Sequence, residues 1–250
     1  LQQEGGIIMY KGIYVAMTGS TLKLMELDNI SNNISNINTE GFKRTAFTTR
    51  MYPITEGLSQ TQSSAYPDAR IMATNGKLII DQMQGTIQNT GTATDLSISG
   101  EGYFVVDAKG TQNFTRNGSF TIDKDGFLVS SEGGKVLGTK DKPINLGVGT
   151  KAAPIISNDG TVSVEDNPVG QIKVVKIKDA QHISNSLFSG TSDGPATGQI
   201  KQGTIERSNV NPMQELAAMI SAQRSFDSIQ RVIKTFDQLA SEANTEIAKV

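Results

Sequence analysis

The side chains best suited to acid–base, nucleophilic or metal chemistry are few in this chain. It has one histidine, His182, and no cysteine. That excludes disulfides, thiolate zinc sites and a cysteine nucleophile, and leaves a Ser-His-Asp triad or a multi-histidine centre with a single possible base. His182 stands beside Ile183 and Ser184, with Asp179 close by in sequence. No G-x-S-x-G turn accompanies it, so it reads as a surface histidine in a loop and not as a general base. Asp123, Asp125 and Gly126 open like a calcium loop, but the twelfth position, where a bidentate glutamate belongs, is Gly134; a hairpin turn is the better reading. Gly100-Glu101-Gly102 resembles part of a phosphate-binding loop, yet the third glycine is missing and Tyr103 to Val106 have strand character, where a phosphate loop leads into a helix. Carboxylate pairs are specified nowhere. The expectation is a protein that is not an enzyme, with no catalytic residue, cofactor or metal.

The elements that would have to position any site are easier to read. The chain has 250 residues, 36% of them hydrophobic and 19% charged, enough for a core in one or two domains. Its 23 basic and 25 acidic residues leave a net charge of −2, which offers no electrostatic footprint for nucleic acid or an anionic membrane surface. No apolar run of about 18 residues and no charged leader before an apolar stretch occurs. Neither membrane insertion nor a cleaved signal peptide is expected, and any export needs another route.

Over residues 12–38, Ile13, Met17, Leu24, Leu27 and Ile34 follow a 3,4 alternation broken by Ser20 and Ser31, the pattern of an amphipathic helix. Asn29, Asn32, Asn33, Asn36 and Asn38 crowd its end, where asparagine favours local turns over helix. The helix is expected to be marginal on its own. From 46 to 80 the composition shifts to Thr, Ser, Gln and Pro, read as an extended linker with short strands. Between 81 and 205, β-type runs such as Tyr103 to Val106, Phe120 to Ile122, Phe127 to Val129 and Gln171 to Ile177 alternate with Asn117-Gly118, Asp125-Gly126, Gly133-Gly134, Asp159-Gly160 and Asp193-Gly194. Such dipeptides favour hairpin turns, so an antiparallel β domain is predicted.

The last segment changes period again. Asn211-Pro212 with Gln214 marks a helix start. Beyond it Met219/Ala222, Phe226/Ile229, Ile233/Phe236, Ala240/Ala243 and Ile247/Val250 repeat at a and d, a left-handed coiled-coil seam about 57 Å long. The N-terminal stripe is its partner within the chain, but is too short and too polar to cover it all, so the remainder is expected to face other copies. The predicted class is α+β: N- and C-terminal helices forming a coiled-coil-like pair, with an inserted all-β antiparallel domain. The divisions are 1–44 (helix), 45–80 (linker), 81–205 (β domain) and 206–250 (heptad helix).

Three blocks add a family resemblance. Ser31 to Arg44, with Asn32, Asn33, Asn36, Asn38, Thr39, Gly41 and Phe42, resembles the signature that closes the N-terminal helix of bacterial flagellar rod and hook proteins. Thr94 to Val106 followed by Phe114 to Phe120, and Gly203 to Val210 leading into Glu215-Leu216 and Gln223 to Phe226, agree with it in the family's order. A length near 250 resembles the rod proteins that keep one β domain. The compact Thr45 to Gln84 segment, with Arg50-Met51-Tyr52-Pro53, favours the proximal (FlgF) type over the distal (FlgG) type. Residues 1–8 precede Met9, where family members begin, and are read as an upstream extension.

The resemblance implies a structural subunit of the basal-body rod in the periplasm, exported unfolded through the flagellar type III apparatus. It also implies terminal segments that fold on assembly with copies of the chain and other rod proteins. The assembly interface would comprise Met17, Leu24, Leu27 and Ile34 with Met219, Phe226, Ile229, Ile233, Phe236 and Ile247. Two rivals from other classes are a cell-wall-cleaving enzyme, for which no carboxylate pair is found, and a closed coiled-coil oligomer with a ligand-binding β domain.

Overall fold

A proline at a helix's first position lacks only an N–H that would be unpaired there anyway, and the C-terminal helix starts on one. In the computed structural model, which describes residues 2–53, 71–108, 110–148, 153–165, 167–184 and 186–247, this helix, α2, spans Pro212–Ile247. The N-terminal helix, α1, spans Gln2–Ser35. It stops three residues short of the predicted Asn38, because the chain turns there: Thr39 N donates to Asn36 O at 3.2 Å and Thr39 Oγ1 to Asn36 Oδ1 at 3.0 Å. Side chains are described from residue 12 to 49 and from 77 to 242, apart from the gaps above. The side chains of Arg50, Met51, Tyr52 and Pro53, of residues 1–8 and of Ala243, Ile247 and Val250 at the end of the seam fall outside those described.

In the segment expected to be an extended linker with short strands, two strands form a ribbon. Strands β1 (Thr45–Pro53) and β2 (Ile71–Ile80) pair with each other, and Thr48 Oγ1 donates to Lys77 O at 2.9 Å. A Thr-rich strand is no anomaly, since β-branched residues fit a pleated surface. The chain divides into two compact units: Leu1–Ile34, Thr45–Ile79 and Pro212–Val250 make one, and Ser35–Arg44 with Ile80–Asn211 the other.

The second unit holds β3 (Ile87–Asn89), β4 (Leu96–Ser99), β5 (Tyr103–Ala108), β6 (Thr111–Thr115), β7 (Phe120–Ile122), β8 (Leu128–Ser130) and β9 (Lys135–Val136). It continues with β10 (Ile155–Ile156), β11 (Thr161–Val164), β12 (Asn167–Gln171), β13 (Val174–His182), β14 (Leu187–Pro195), β15 (Gln199–Gln202) and β16 (Thr204–Glu206). The largest sheet runs β13-β14-β6-β5-β9-β8-β7, and β13 also pairs with β5, Val174 opposite Phe104 and Val175 opposite Tyr103, so β13, β14, β6 and β5 close a ring. Smaller sheets are β10-β11-β12, β15-β4 and β16-β3.

Because side chains alternate along a strand, β5 feeds two cores. Phe104 and Val106 join Leu96, Ile98, Phe120 and Leu128, while Tyr103 and Val105 join Phe114, Val175 and Phe188. Gly126, Gly133 and Gly160 take positive φ at turns joining consecutive strands, as their dipeptides predicted. Two dipeptides do otherwise. Gly194 lies inside β14, and Gly118 is there for room: a Cβ on it would sit 1.6 Å from Leu96 O.

Candidate assembly site and the signature residues

Two helices pack closely only where small residues let a partner's side chain reach the backbone. On α1 those residues are Gly12 and Gly19. The Phe236 ring tip lies 3.2 Å from where a Gly12 Cβ would be, and Ile229 Cδ1 lies 3.7 Å from that of Gly19. Further along, Gln230 Nε2 donates to Ser20 Oγ at 3.0 Å and Asn33 Nδ2 to Glu215 Oε2 at 3.2 Å. From Gly12 to Gly19 is seven residues, and so is Phe236 back to Ile229; Gly19 to Asn33 is fourteen, and so is Ile229 back to Glu215. The pair is antiparallel and keeps one heptad register through this stretch.

That register shows which α1 residues meet α2 within one chain. The face toward α2 carries Gly12, Gly19, Ser20 and Asn33, and Ser20, which breaks the apolar alternation, is buried. Met17 and Leu24 point away, 55% and 45% exposed; Leu27 and Ile34 are half-buried. A hydropathy pattern weights glycine and serine as gaps, so it does not mark the edge of α1 that meets α2 within one chain. Glycines seven apart were the signal that would have found it. On α2, Ala222 is buried and Met219, Phe226, Ile229, Ile233 and Phe236 are half-buried along the predicted seam. Both helices also keep large apolar side chains off it: Tyr14, Met17 and Leu24 on α1, and Leu216, Ile220, Val232 and Leu239 on α2.

The signature asparagines do more than end a helix. Asn33 is fully buried; its Oδ1 accepts from Thr45 N at 3.0 Å while its Nδ2 donates to Thr45 O at 2.9 Å, and Asn29 Nδ2 reaches the same carbonyl at 2.8 Å. The amide thus imitates a neighbouring strand and seats the start of β1. Asn36 is buried in the turn, and Asn32 and Asn38 are exposed.

The rest of the signature belongs to the β unit. Gly41 adopts φ 68°, and a Cβ there would lie 2.1 Å from Asn117 N. Its N–H donates to Glu206 O at 2.8 Å. Phe42 is buried and stacked on His182, ring centroids 5.1 Å apart, and the histidine also meets Phe188 at 4.5 Å. His182 Nε2 lies 3.1 Å from Lys43 O, and burial holds the imidazole below its usual pKa, against the opposing pull of the Lys43 and Ser184 carbonyls. His182 is therefore a packed wedge under the signature, neither surface loop nor catalytic base.

Beside it lies a buried charge cluster that motif reading passed over. Lys43 Nζ contacts Glu206 Oε1 at 2.6 Å and donates to Met83 O at 2.7 Å. Arg116 Nη1 meets Glu206 Oε2 at 3.0 Å, its Nη2 donates to Gly100 O at 2.8 Å, and Gly85 N adds a bond to Glu206 Oε1 at 2.9 Å. Lys43, Arg116 and Glu206 are at most 4% exposed. Burial depresses the Lys43 pKa and Glu206 works against that. Arg44 N and Asn209 Oδ1 close the ring at 2.7 Å. The three blocks that carry the resemblance meet here, one ion from each. The available signal was a charge beside a large apolar residue in two of the blocks, Phe42-Lys43 and Ile205-Glu206; Arg116, between Thr115 and Asn117, carries none.

Asp123 Oδ1 accepts from Asp125 N and Phe127 N, which makes its loop a hairpin turn. Among the described residues no group of His, Asp or Glu side chains is placed to hold a metal ion. Gly100-Glu101-Gly102 joins β4 to β5, with no helix after it.

Comparison with known proteins follows the same three blocks. The family described as flagella basal body rod protein matches residues 13–43, the flagellar hook protein FlgE/F/G D1 domain matches 97–164, and the flagellar basal body rod FlgEFG protein C-terminal family matches 201–246. A flagellar basal-body rod protein FlgG of Bacillus subtilis is 33% identical over 94% of this chain and 98% of its own length. The chain belongs to the flagellar basal-body rod protein family. A FlgF rod protein of Caulobacter vibrioides is 30% identical over 97% of this chain and all of its own length, and a FlgG of Borreliella burgdorferi 31% over 94% and 98%. Within the rod family, relatives of both types match at similar identity.

Proposed function

We propose that this rod-family protein is a structural subunit of the proximal rod that polymerises through α1 and α2 and transmits torque without chemistry. The observation that carries this reading is the set of large apolar side chains that both helices keep off the seam between them. Burying a large apolar side chain contributes about 1.5–3 kcal/mol, so the exposed Met17, Leu24, Leu216, Ile220, Val232 and Leu239 represent a gain realised only when another surface covers them. Heterologous contacts that do not close build a helical array from such faces. Its partners are copies of itself and other rod proteins, and the flagellar type III apparatus delivers it to the periplasmic part of the basal body. It takes no nucleic acid. Among the described residues no helix is long and apolar enough to cross a membrane. The compact segment from Thr45 to Gln84 supports the proximal type; the similarity to FlgG proteins keeps the distal type as the second reading.

Ile220→Glu tests the assembly. Ile220 is 54% exposed, so the change leaves the folded chain intact by urea unfolding yet removes incorporation into basal bodies and motility in a strain lacking the native protein. Normal incorporation would refute the role of this face. A discrete, concentration-independent oligomer of the purified chain would favour the closed coiled-coil alternative.

A further inference from the structure

We draw no further inference here: the strongest candidate, the patch of exposed apolar side chains on α1 and α2 that includes Met17, Leu24, Leu216 and Ile220, belongs to the assembly surface already described, and nothing in the structure shows what covers it.

Discussion

Glu206→Gln removes the single carboxylate between two buried cations while keeping the side chain's shape. Lys43 and Glu206 are each 1% exposed and Arg116 4%, so solvent does not screen them. Removing one partner of a buried ion pair costs about 3–5 kcal/mol, because the charge left behind is uncompensated, a large share of a domain stability of about 5–15 kcal/mol. With a urea slope of about 2 kcal/mol per molar, the midpoint of the β unit falls by about 2 M. Lys43→Met should cost less, about 1.5–3 kcal/mol, the range for losing a hydrogen bond to a charged group, since Arg116 and Gly85 N still hold Glu206. The double variant Lys43→Met/Glu206→Gln should cost less than the two singles added together, as coupled neighbours do. Urea-dependent hydrogen exchange at the β5 and β6 amides reads this unit whatever the helices do. A midpoint change under about 0.5 M for Glu206→Gln, or a Lys43→Met cost as large as that of Glu206→Gln, would refute the reasoning that excess buried cation sets the penalty.

Three further outcomes follow from the geometry. Gly41→Ala places a Cβ 2.1 Å from Asn117 N at a φ of 68°; strain of about 1–2 kcal/mol adds to about 1–3 from overpacking, measured as a lowered thermal midpoint of the β unit. Gly19→Ala meets only Ile229 Cδ1 at 3.7 Å and gains about 0.5–1 kcal/mol of helix stability, whereas Gly12→Val pushes on the Phe236 ring and lowers the helical circular dichroism signal on heating. The third concerns pH. The folded-state pKa of His182 lies below the 6.5 of the free side chain, so between the two the unfolded chain binds more protons. The histidine's contribution is full above pH 6.5 and declines as pH falls toward the folded value. Denaturant titrations at pH 7 and 5 should show this loss in the native chain and a smaller one in His182→Gln; equal slopes would exclude the histidine as the cause.

How far the fold could be read from residues depended on how local the signal was. The α2 seam and the turns at Asp125-Gly126 and Asp159-Gly160 are written within a few positions, and the structure has the turns and the seam from Met219 to Phe236. The β1–β2 ribbon was expected only as short strands in a linker, because Thr45, Thr48, Thr49 and Thr74 fit a strand without the apolar alternation that marks one. The pairing face of α1 was hidden because Gly12 and Gly19 act by absence of a side chain. Lys43, Arg116 and Glu206 each pass singly for a solvated charge, and only the tertiary fold brings them within bonding distance. The signature was recognisable as text, but its work of seating a strand through Asn33 and locking an ion cluster through Lys43 was not.

The same cluster dictates an order of events. Lys43 and Glu206 are 163 residues apart, and Arg44 and Asn209 165. Contacts of such separation form late, since the chain entropy of closing the loop precedes any reward. Until residue 206 arrives, a growing or threading chain has two cations and no anion to bury with them. A chain that stops short of residue 206 therefore lacks the carboxylate that bridges these two cations.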